Sequence, residues 1–261
     1  GGASQSAVVK AGGAVIDSNG FNVTIPQGLL DGGTGGGLTK QGAGTLTLSG
    51  SNTYTGATLI NAGTLSIGTS INSSSGVTIN GSGAKLFQAS FGNLPAVTLT
   101  EGTLETNASV LSLNVANSAT NILNPGAGTV FQMEVQNGLT FQGAAVINTK
   151  ATGASMDNYI LPTLDNTLAL TTPGDGAANG QITVNATNVS TWSGGTDYPI
   201  ISYSSFSGTI DDFVLGTVSG LSPRQSASLV NTGSAIALHI DGDSIRWTGD
   251  ASPDWTTTAV G

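Results

Sequence analysis

The sequence predicts an all-β protein, and more specifically a parallel β-helix, in which the chain winds into successive coils of about 19 or 20 residues. Three observations lead to this prediction: apolar residues alternate with polar ones, glycine is abundant with 39 residues, and two short phrases recur at one spacing. Alternation of apolar and polar residues is the period of a β-strand. A repeat of about 20 residues lies in the range of solenoid coils.

The first recurring phrase is Gly-Thr-Leu, which begins at Gly44, Gly63 and Gly102. The first two copies are 19 positions apart, and the third follows 39 positions after the second, which is close to two further steps. The first two copies each open a stretch in which leucine or isoleucine alternates with threonine or serine. The spacing predicts that one strand of each coil lies directly over the same strand of the coil before it.

A second phrase keeps the same step and predicts a structural ladder. Thr-Leu-Ile-Asn ends at Asn61, and Val-Thr-Ile-Asn ends at Asn80, again 19 positions later. We expect Asn61 and Asn80 to stack in successive coils, because identical amides one coil apart can chain their hydrogen bonds along the axis. Asn148 and Asn185 follow Ile147 and Val184 and are expected to form a similar stack.

An antiparallel β-sandwich is the alternative architecture, because turn sequences such as Asn19-Gly20 also connect hairpins. The regular step between the repeated phrases favours the β-helix. We expect one β-helix domain over residues 1–244, most typical over 38–68 and less regular over 150–197. Residues 245–261 are expected to be a terminal segment, either a cap or the start of a following unit.

Composition excludes some partners. The chain has six Lys and Arg residues against fifteen Asp and Glu, a net charge of −9, and its cations are scattered. Binding to the phosphates of nucleic acid is therefore not expected. No apolar run is long enough to cross a membrane, so no membrane span is expected in this chain. The absence of cysteine fits both a secreted bacterial protein and a cytosolic one.

Residues with catalytic chemistry are scarce. His239 is the single histidine and lies in an alternating strand, where a solvent-facing position is expected. The adjacent carboxylates Asp211 and Asp212 are expected in a solvated turn, because neighbours on a strand face opposite ways. No catalytic residue and no cofactor are therefore predicted, and the chain is not expected to be an enzyme.

The carboxyl-terminal part contains the remaining candidates. Asp241 and Asp243 are weak calcium candidates, since oxygen-rich loops can hold that ion, although the pattern is not that of an EF-hand. Arg246, Trp247 and Trp255 are expected either to contact the next unit end to end or to cap the last coil. Trp192 is expected to cover an end or a local core.

One stretch of the chain has a family resemblance. LTKQGAGTLTLSGSNTYTGATLINAGTL, residues 38–65, resembles the autotransporter-associated β-strand repeat of bacterial passenger domains. GGAVIDSNGFNVTI (12–25) and the segments at 198–208, 234–240 and 245–255 resemble parts of such proteins of planctomycete and verrucomicrobial type. The resemblance implies a right-handed β-helix on the outer surface of a bacterium or outside the cell, and it carries no catalytic residues.

Two classes of function follow from these expectations. The first is a non-catalytic structural or adhesive element of a surface protein or fibre, with like units in tandem or end to end as partners. The alternative is a β-helix that binds or degrades polysaccharide, with surface glycans as partners. Degradation requires converging carboxylates, and residues 38–100 have few charged groups, so the structural or adhesive element is the preferred prediction.

Overall fold

The computed structural model describes residues 7–88, 90, 92–125, 131–152, 155–156, 158–162, 168–175, 181–189 and 192–242. These residues are mostly β-strand, with a 3-10 helix at Ile210–Asp212. The strands are β1 (Ala7–Val9), β2 (Ala14–Asp17), β3 (Val23–Ile25), β4 (Leu29–Asp31), β5 (Leu38–Gln41), β6 (Thr45–Leu48), β7 (Thr58–Ile60), β8 (Thr64–Ile67), β9 (Val77–Gln88), β10 (Asn93–Leu94), β11 (Val97–Thr106), β12 (Ser109–Val110), β13 (Leu113–Val115), β14 (Ile122–Pro125), β15 (Phe131–Val135), β16 (Gly138–Phe141), β17 (Ala145–Thr152), β18 (Ser155–Met156), β19 (Asn158–Pro162), β20 (Ala169–Thr171), β21 (Ile182–Thr187), β22 (Thr196–Ser202), β23 (Ser205–Ser207), β24 (Phe213–Val218), β25 (Ser226–Asn231) and β26 (Ala235–Asp241).

Two parallel sheets run along the molecule. The first sheet stacks β2, β5, β7, the start of β9, the start of β11, β13, β16, β20 and β23. The second sheet stacks β3, β6, β8, the end of β9, the end of β11, β14, β17, β21 and β24. Because β9 and β11 each belong to both sheets, the chain passes from one sheet to the other within a single bent strand.

A third sheet is shorter and changes direction at its end. β10, β12, β15, β19 and β22 pair in parallel, and β1 and β4 form a separate parallel pair near the amino end. β26 then pairs antiparallel with β22, and β25 pairs antiparallel with β26. The last part of this sheet therefore departs from the parallel coil.

The pairing is that of a parallel β-helix, which confirms the predicted fold class and rules out the antiparallel sandwich. Thr45 pairs with Thr64, 19 positions later, and Val77 pairs with Val97, 20 positions later. We call residues 38–125 the repeat region, where paired residues lie 16 to 21 positions apart. We call residues 131–218 the extended region, where the step back to the preceding coil is 24 to 41 positions.

The core of the β-helix is built from stacked aliphatic side chains. In the second sheet five leucines of successive coils are paired and fully buried, namely Leu46, Leu65, Leu86, Leu104 and Leu123. Burying a leucine side chain contributes about 2 kcal/mol. Since the strand period is two, the threonines and serines between the leucines face outward.

Stacked coils also explain the glycine of the Gly-Thr-Leu phrase. Gly44, Gly63 and Gly102 all have positive φ, at 86°, 64° and 129°. A Cβ atom on Gly63 would lie 2.4 Å from the carbonyl oxygen of Gly44 in the preceding coil. A side chain is thus excluded both by the backbone conformation and by the close approach of the coils.

The amino end of the β-helix exposes apolar side chains. Within the described residues β2 pairs only with β5 and β3 pairs only with β6, so each has one unpaired edge. Val15, Phe21 and Val23 are 63%, 70% and 37% exposed. Among the described residues, this coil therefore combines unpaired strand edges with exposed apolar side chains.

Candidate functional site

The predicted ladder at Asn61 and Asn80 lies just beyond a paired stretch of the first sheet. Ile60 pairs with Ile79, and both side chains are fully buried, as expected. Asn61 and Asn80 follow these isoleucines in adjacent coils, and Asn61 is half-buried while Asn80 is exposed. The amide ladder between them stays a prediction.

The second predicted stack is confirmed and forms a directional chain of amides. Asn148 pairs with Asn185 in the second sheet. The Asn185 amide donates to Asn148 Oδ1 over 2.9 Å, and the Asn148 amide donates to Asn124 Oδ1 over 3.0 Å. Each amide therefore donates toward the amino end of the β-helix and accepts from the coil after it, so that neighbouring bonds polarise one another.

This series of hydrogen-bonded amides ends in an acceptor on one side and in a donor on the other. At the amino end Asn124 donates to Glu105 Oε2 over 3.3 Å, and the same oxygen is 2.6 Å from Lys85 Nζ. At the other end the backbone N–H of Thr217 donates to Asn185 Oδ1 over 2.8 Å. We call this set the amide ladder. A carboxylate can only accept and a backbone N–H can only donate, so the ladder has one consistent direction.

Lys40 is a buried cation that sequence reasoning counted only among the scattered charges. Its side chain is fully buried, and Nζ donates to the carbonyl oxygens of Gln41, Gly42 and Ala62 at 2.7, 2.6 and 3.2 Å. Burial lowers the pKa of Lys40, while the nearby Asp17 carboxylate opposes that shift. The alternation of side chains along β5 could have predicted this burial, because Lys40 lies two residues after Leu38 and therefore faces the same, inward side.

In the repeat region, polar side chains also hydrogen-bond to the segments that connect the second sheet to the first sheet. Asn52 accepts from the backbone N–H of Leu29 and donates to the carbonyl oxygens of Gly50 and Ser70. Its amide therefore joins three successive coils. These bonds give backbone groups of the connecting segments hydrogen-bond partners from a neighbouring side chain.

A short hydroxyl chain lies beside Asn52. The Tyr54 hydroxyl contacts Thr58 Oγ1 at 2.7 Å, and Thr58 contacts Ser74 Oγ at 3.0 Å. Ser74 in turn donates to the carbonyl oxygens of Gly56 and Gly76. Burial raises the pKa of Tyr54 to about 12, so this hydroxyl stays protonated at neutral pH. The arrangement satisfies backbone groups and leaves no activated nucleophile.

Asp212 corrects a prediction. The sequence suggested a solvated turn for both carboxylates, but only Asp211 is exposed, and Asp212 is fully buried in the 3-10 helix. Its Oδ2 accepts from the Thr172 hydroxyl and from the backbone N–H groups of Gly174 and Thr209. These donors compensate for the loss of hydration, and they join two coils of the extended region.

His239 lies on the antiparallel pair at the carboxyl end. Its Nδ1 is 2.5 Å from Asp197 Oδ1 across the pair, and Nε2 is 3.1 Å from Asp241 Oδ1. The bond to Asp197 raises the pKa of His239, with a smaller contribution from Asp241. The side chain is 27% exposed. Because both ring nitrogens contact carboxylates, the imidazole is held as an ion bridge between the paired strands.

The remaining predicted residues fall partly outside the described part of the chain. Asp243, Arg246, Trp247 and Trp255 all lie there, and both the end contact or cap and the calcium site at Asp241 and Asp243 stay predictions. Asp241 contacts His239, as given above. Trp192 covers a local core as expected: it is buried, and its ring stacks on Tyr198 with centroids 3.8 Å apart.

Across the described residues, no three His, Asp or Glu side chains are grouped as a metal-binding set. The same part of the chain contains no helix of the length and hydrophobicity needed to span a membrane. The structure thus brings together amides, hydroxyls and buried single charges that bond to backbone groups of neighbouring coils.

Comparison with known proteins agrees with the architecture. Residues 38–67 match the model of the passenger-associated-transport-repeat family, so this chain carries an autotransporter-associated repeat. A search of curated proteins found no match. The matched residues coincide with the start of the repeat region, and they include Lys40, Asn52 and Tyr54. Lys40 and Asn52, whose side chains bond to neighbouring coils, are therefore part of the matched repeat.

Proposed function

We propose that this chain is a non-catalytic structural and adhesive β-helix element of a bacterial surface protein, located outside the cell or on its outer surface. The observation that carries the proposal is the passenger-associated repeat embedded in a continuous parallel β-helix. Each coil extends such a rod by about 4.8 Å. A rod of this kind suits a protein that presents other domains or holds cells to a surface.

The location is tested on intact cells of the source bacterium. An antibody against this chain is expected to label cells before they are permeabilised, and protease added outside is expected to remove the signal. A cytoplasmic protein of similar abundance serves as the control and must stay protected. Labelling that appears only after permeabilisation contradicts a surface location.

End-to-end association is the assembly that the amino end supports. Unpaired strand edges pair readily with other strands, and the apolar side chains Val15, Phe21 and Val23 lie at the same end. A parallel coil of a like unit would continue both sheets and cover this surface. The antiparallel β25–β26 pair makes the carboxyl end different from the amino end.

Sedimentation over a range of concentrations tests this association. The chain is expected to associate, and the variant Val15→Lys with Phe21→Lys is expected to remain monomeric. Leu111→Lys is the matched control, because Leu111 is 41% exposed but lies in a different coil, and it should associate like the parent chain. A parent chain that is monomeric throughout, or a double variant that associates normally, contradicts the proposal.

Polysaccharide binding is the second candidate function, and the groove described below favours it. Degradation is not expected. Reducing-sugar release from a panel of polysaccharides checks this, and release that disappears on substitution of one specific acidic residue would establish an enzyme instead.

A further inference from the structure

A polar groove lies on the third sheet where β10, β12 and β15 succeed one another. Its volume is about 190 Å³, it is open to solvent, and it is lined by Gly92, Asn93, Asn107, Ser109, Gln132 and Glu134. Enclosed sites for whole ligands usually occupy about 300 to 1,000 Å³. The groove is smaller than such sites, so it would hold one part of a ligand, such as a single sugar ring, while the rest of a longer ligand would lie over the open surface of the sheet.

The backbone register builds this groove from three successive coils. Asn93 pairs with Ser109, and Ser109 pairs with Glu134, so their side chains follow one another along the axis. Ser109 is fixed by a 2.9 Å bond from its N–H to the carbonyl oxygen of Gly92. A Cβ on Gly92 would lie 2.7 Å from Gln88 Nε2, so a side chain at this position would displace the Gln88 amide.

Two lining side chains have unused hydrogen-bonding capacity. Within the described residues neither the Glu134 carboxylate nor the Asn93 amide is hydrogen-bonded or ion-paired through its side chain. Ser109 Oγ accepts from Gln136 Nε2 over 3.0 Å, and its own hydrogen stays available to donate. The groove thus offers an amide with both donor and acceptor, a hydroxyl donor and a carboxylate acceptor.

The charge of the groove restricts the ligand. Among the described lining residues Glu134 is the only ionisable one, and the whole chain carries a net charge of −9. Phosphates, sulfates and uronic acids are therefore repelled. One carboxylate is also too few for a calcium cage or for the acid pair of a glycoside hydrolase. Sugar hydroxyls both donate and accept, which matches the amide, hydroxyl and carboxylate of this surface.

We propose that the groove formed by Asn93, Ser109, Gln132 and Glu134 binds a neutral oligosaccharide without cleaving it, with Glu134 and Asn93 as the main contacts. The ligand lies along the axis of the β-helix, since the lining residues come from successive coils. This goes beyond the proposed surface role and does not depend on end-to-end association, because the groove is on the side of the rod.

Titration calorimetry and ¹H–¹⁵N NMR with the full chain test the proposal. The neutral probes are cellohexaose and chitin hexaose, and a hexamer of galacturonic acid is the anionic probe. At least one neutral probe is expected to bind with saturation and to shift the signals of Asn93 and Glu134. Glu134→Gln and Asn93→Ala are each expected to weaken that binding about tenfold.

Gln142→Ala is the matched control, because it removes an exposed amide outside the groove and should leave the affinity unchanged. Unchanged melting temperatures verify that the variants are folded. The proposal is overturned if neither neutral probe saturates, if binding survives both groove substitutions, or if the galacturonate hexamer binds as tightly. Surface labelling and sedimentation are unaffected by any of these results, so failure here is distinguishable from failure of the surface role.

Discussion

The repeat region and the extended region stack their coils in the same sheets but with different amounts of chain. In the repeat region paired residues are 16 to 21 positions apart, and the corners are tight turns with glycine at positive φ. In the extended region the step reaches 41 positions, between Ile160 and Ile201. The comparison shows that the paired strands stack in the same way in both regions, while the number of residues that connect them varies.

The two regions also satisfy their polar groups differently. In the repeat region Lys40 and Asn52 bond mainly to backbone carbonyl oxygens at the corners. In the extended region Asn185 bonds to the side chain of Asn148, and the buried Asp212 accepts from the Thr172 hydroxyl and the Gly174 N–H in the preceding coil. Longer coils have more backbone outside the sheets, and buried side chains hydrogen-bond to these connecting segments.

The largest effect is expected at Asp212 in the extended region. Asp212→Ala removes a buried carboxylate that accepts from three donors, among them the buried Thr172 hydroxyl, so the free energy of unfolding should fall by about 3 kcal/mol. Asp211→Ala is the control and should change it by less than about 0.5 kcal/mol, because Asp211 is exposed. Urea titration of both variants measures the difference. Equal losses contradict the buried role of Asp212.

A somewhat smaller effect is expected at Lys40 in the repeat region. Lys40→Ala leaves three corner carbonyl oxygens without their donor, and unfolding should become easier by about 2 kcal/mol. The exposed Lys10 provides the comparison, and Lys10→Ala should be nearly neutral. If Lys40→Ala is as mild as Lys10→Ala in a chemical denaturation, the buried ammonium does not stabilise the corner.

The amide ladder should give a still smaller effect. Asn148→Ala removes two side-chain hydrogen bonds at a half-buried site and is expected to cost about 1 kcal/mol. Asn114→Thr is the matched variant, because Asn114 Oδ1 is buried without a partner and the residue lies between Thr98 and Thr140 in register. That substitution should be neutral or stabilising. The reverse order in thermal melting would refute the ladder.

The smallest effect is expected at His239, and it depends on pH. Its folded pKa is raised by Asp197, so the stabilisation is fully present below the unfolded pKa of about 6.5 and is lost as pH rises through the folded pKa. The parent chain should melt at a higher temperature than His239→Gln at pH 5.5. This difference between the two melting temperatures should disappear by pH 9. A gap that does not change with pH contradicts the ion bridge.

Sequence reasoning recovered those features that repeat. Gly44 and Gly63 meet the same demands in successive coils, so the same phrase recurs and gives the step correctly. The stack of Asn148 and Asn185 was predicted for the same reason, from a shared Ile-Asn or Val-Asn ending. Local patterns carry this information because each coil contacts only its neighbours.

Features that occur once were missed. Nothing in the pair Asp211-Asp212 indicates which carboxylate is buried, because that depends on Thr172 and Gly174 in another coil. The polar groove also depends on the register of three strands that are too short to show a pattern. Lys40 is an intermediate case. The alternation that starts at Leu38 indicates an inward position for its side chain, whereas its charge indicates a position on the surface.

Disulfide trapping tests the central claim, the register of the repeat region, most directly. Thr47 and Ser66 are paired in adjacent coils, and the chain has no cysteine of its own. Paired residues in neighbouring strands are about 4.8 Å apart, within the Cα separation that a disulfide bridges. The double variant Thr47→Cys with Ser66→Cys should therefore oxidise readily in the native state. Thr47→Cys with Phe87→Cys, two coils apart, should keep both thiols free in intact mass analysis. A disulfide in the second variant but not in the first would contradict the account.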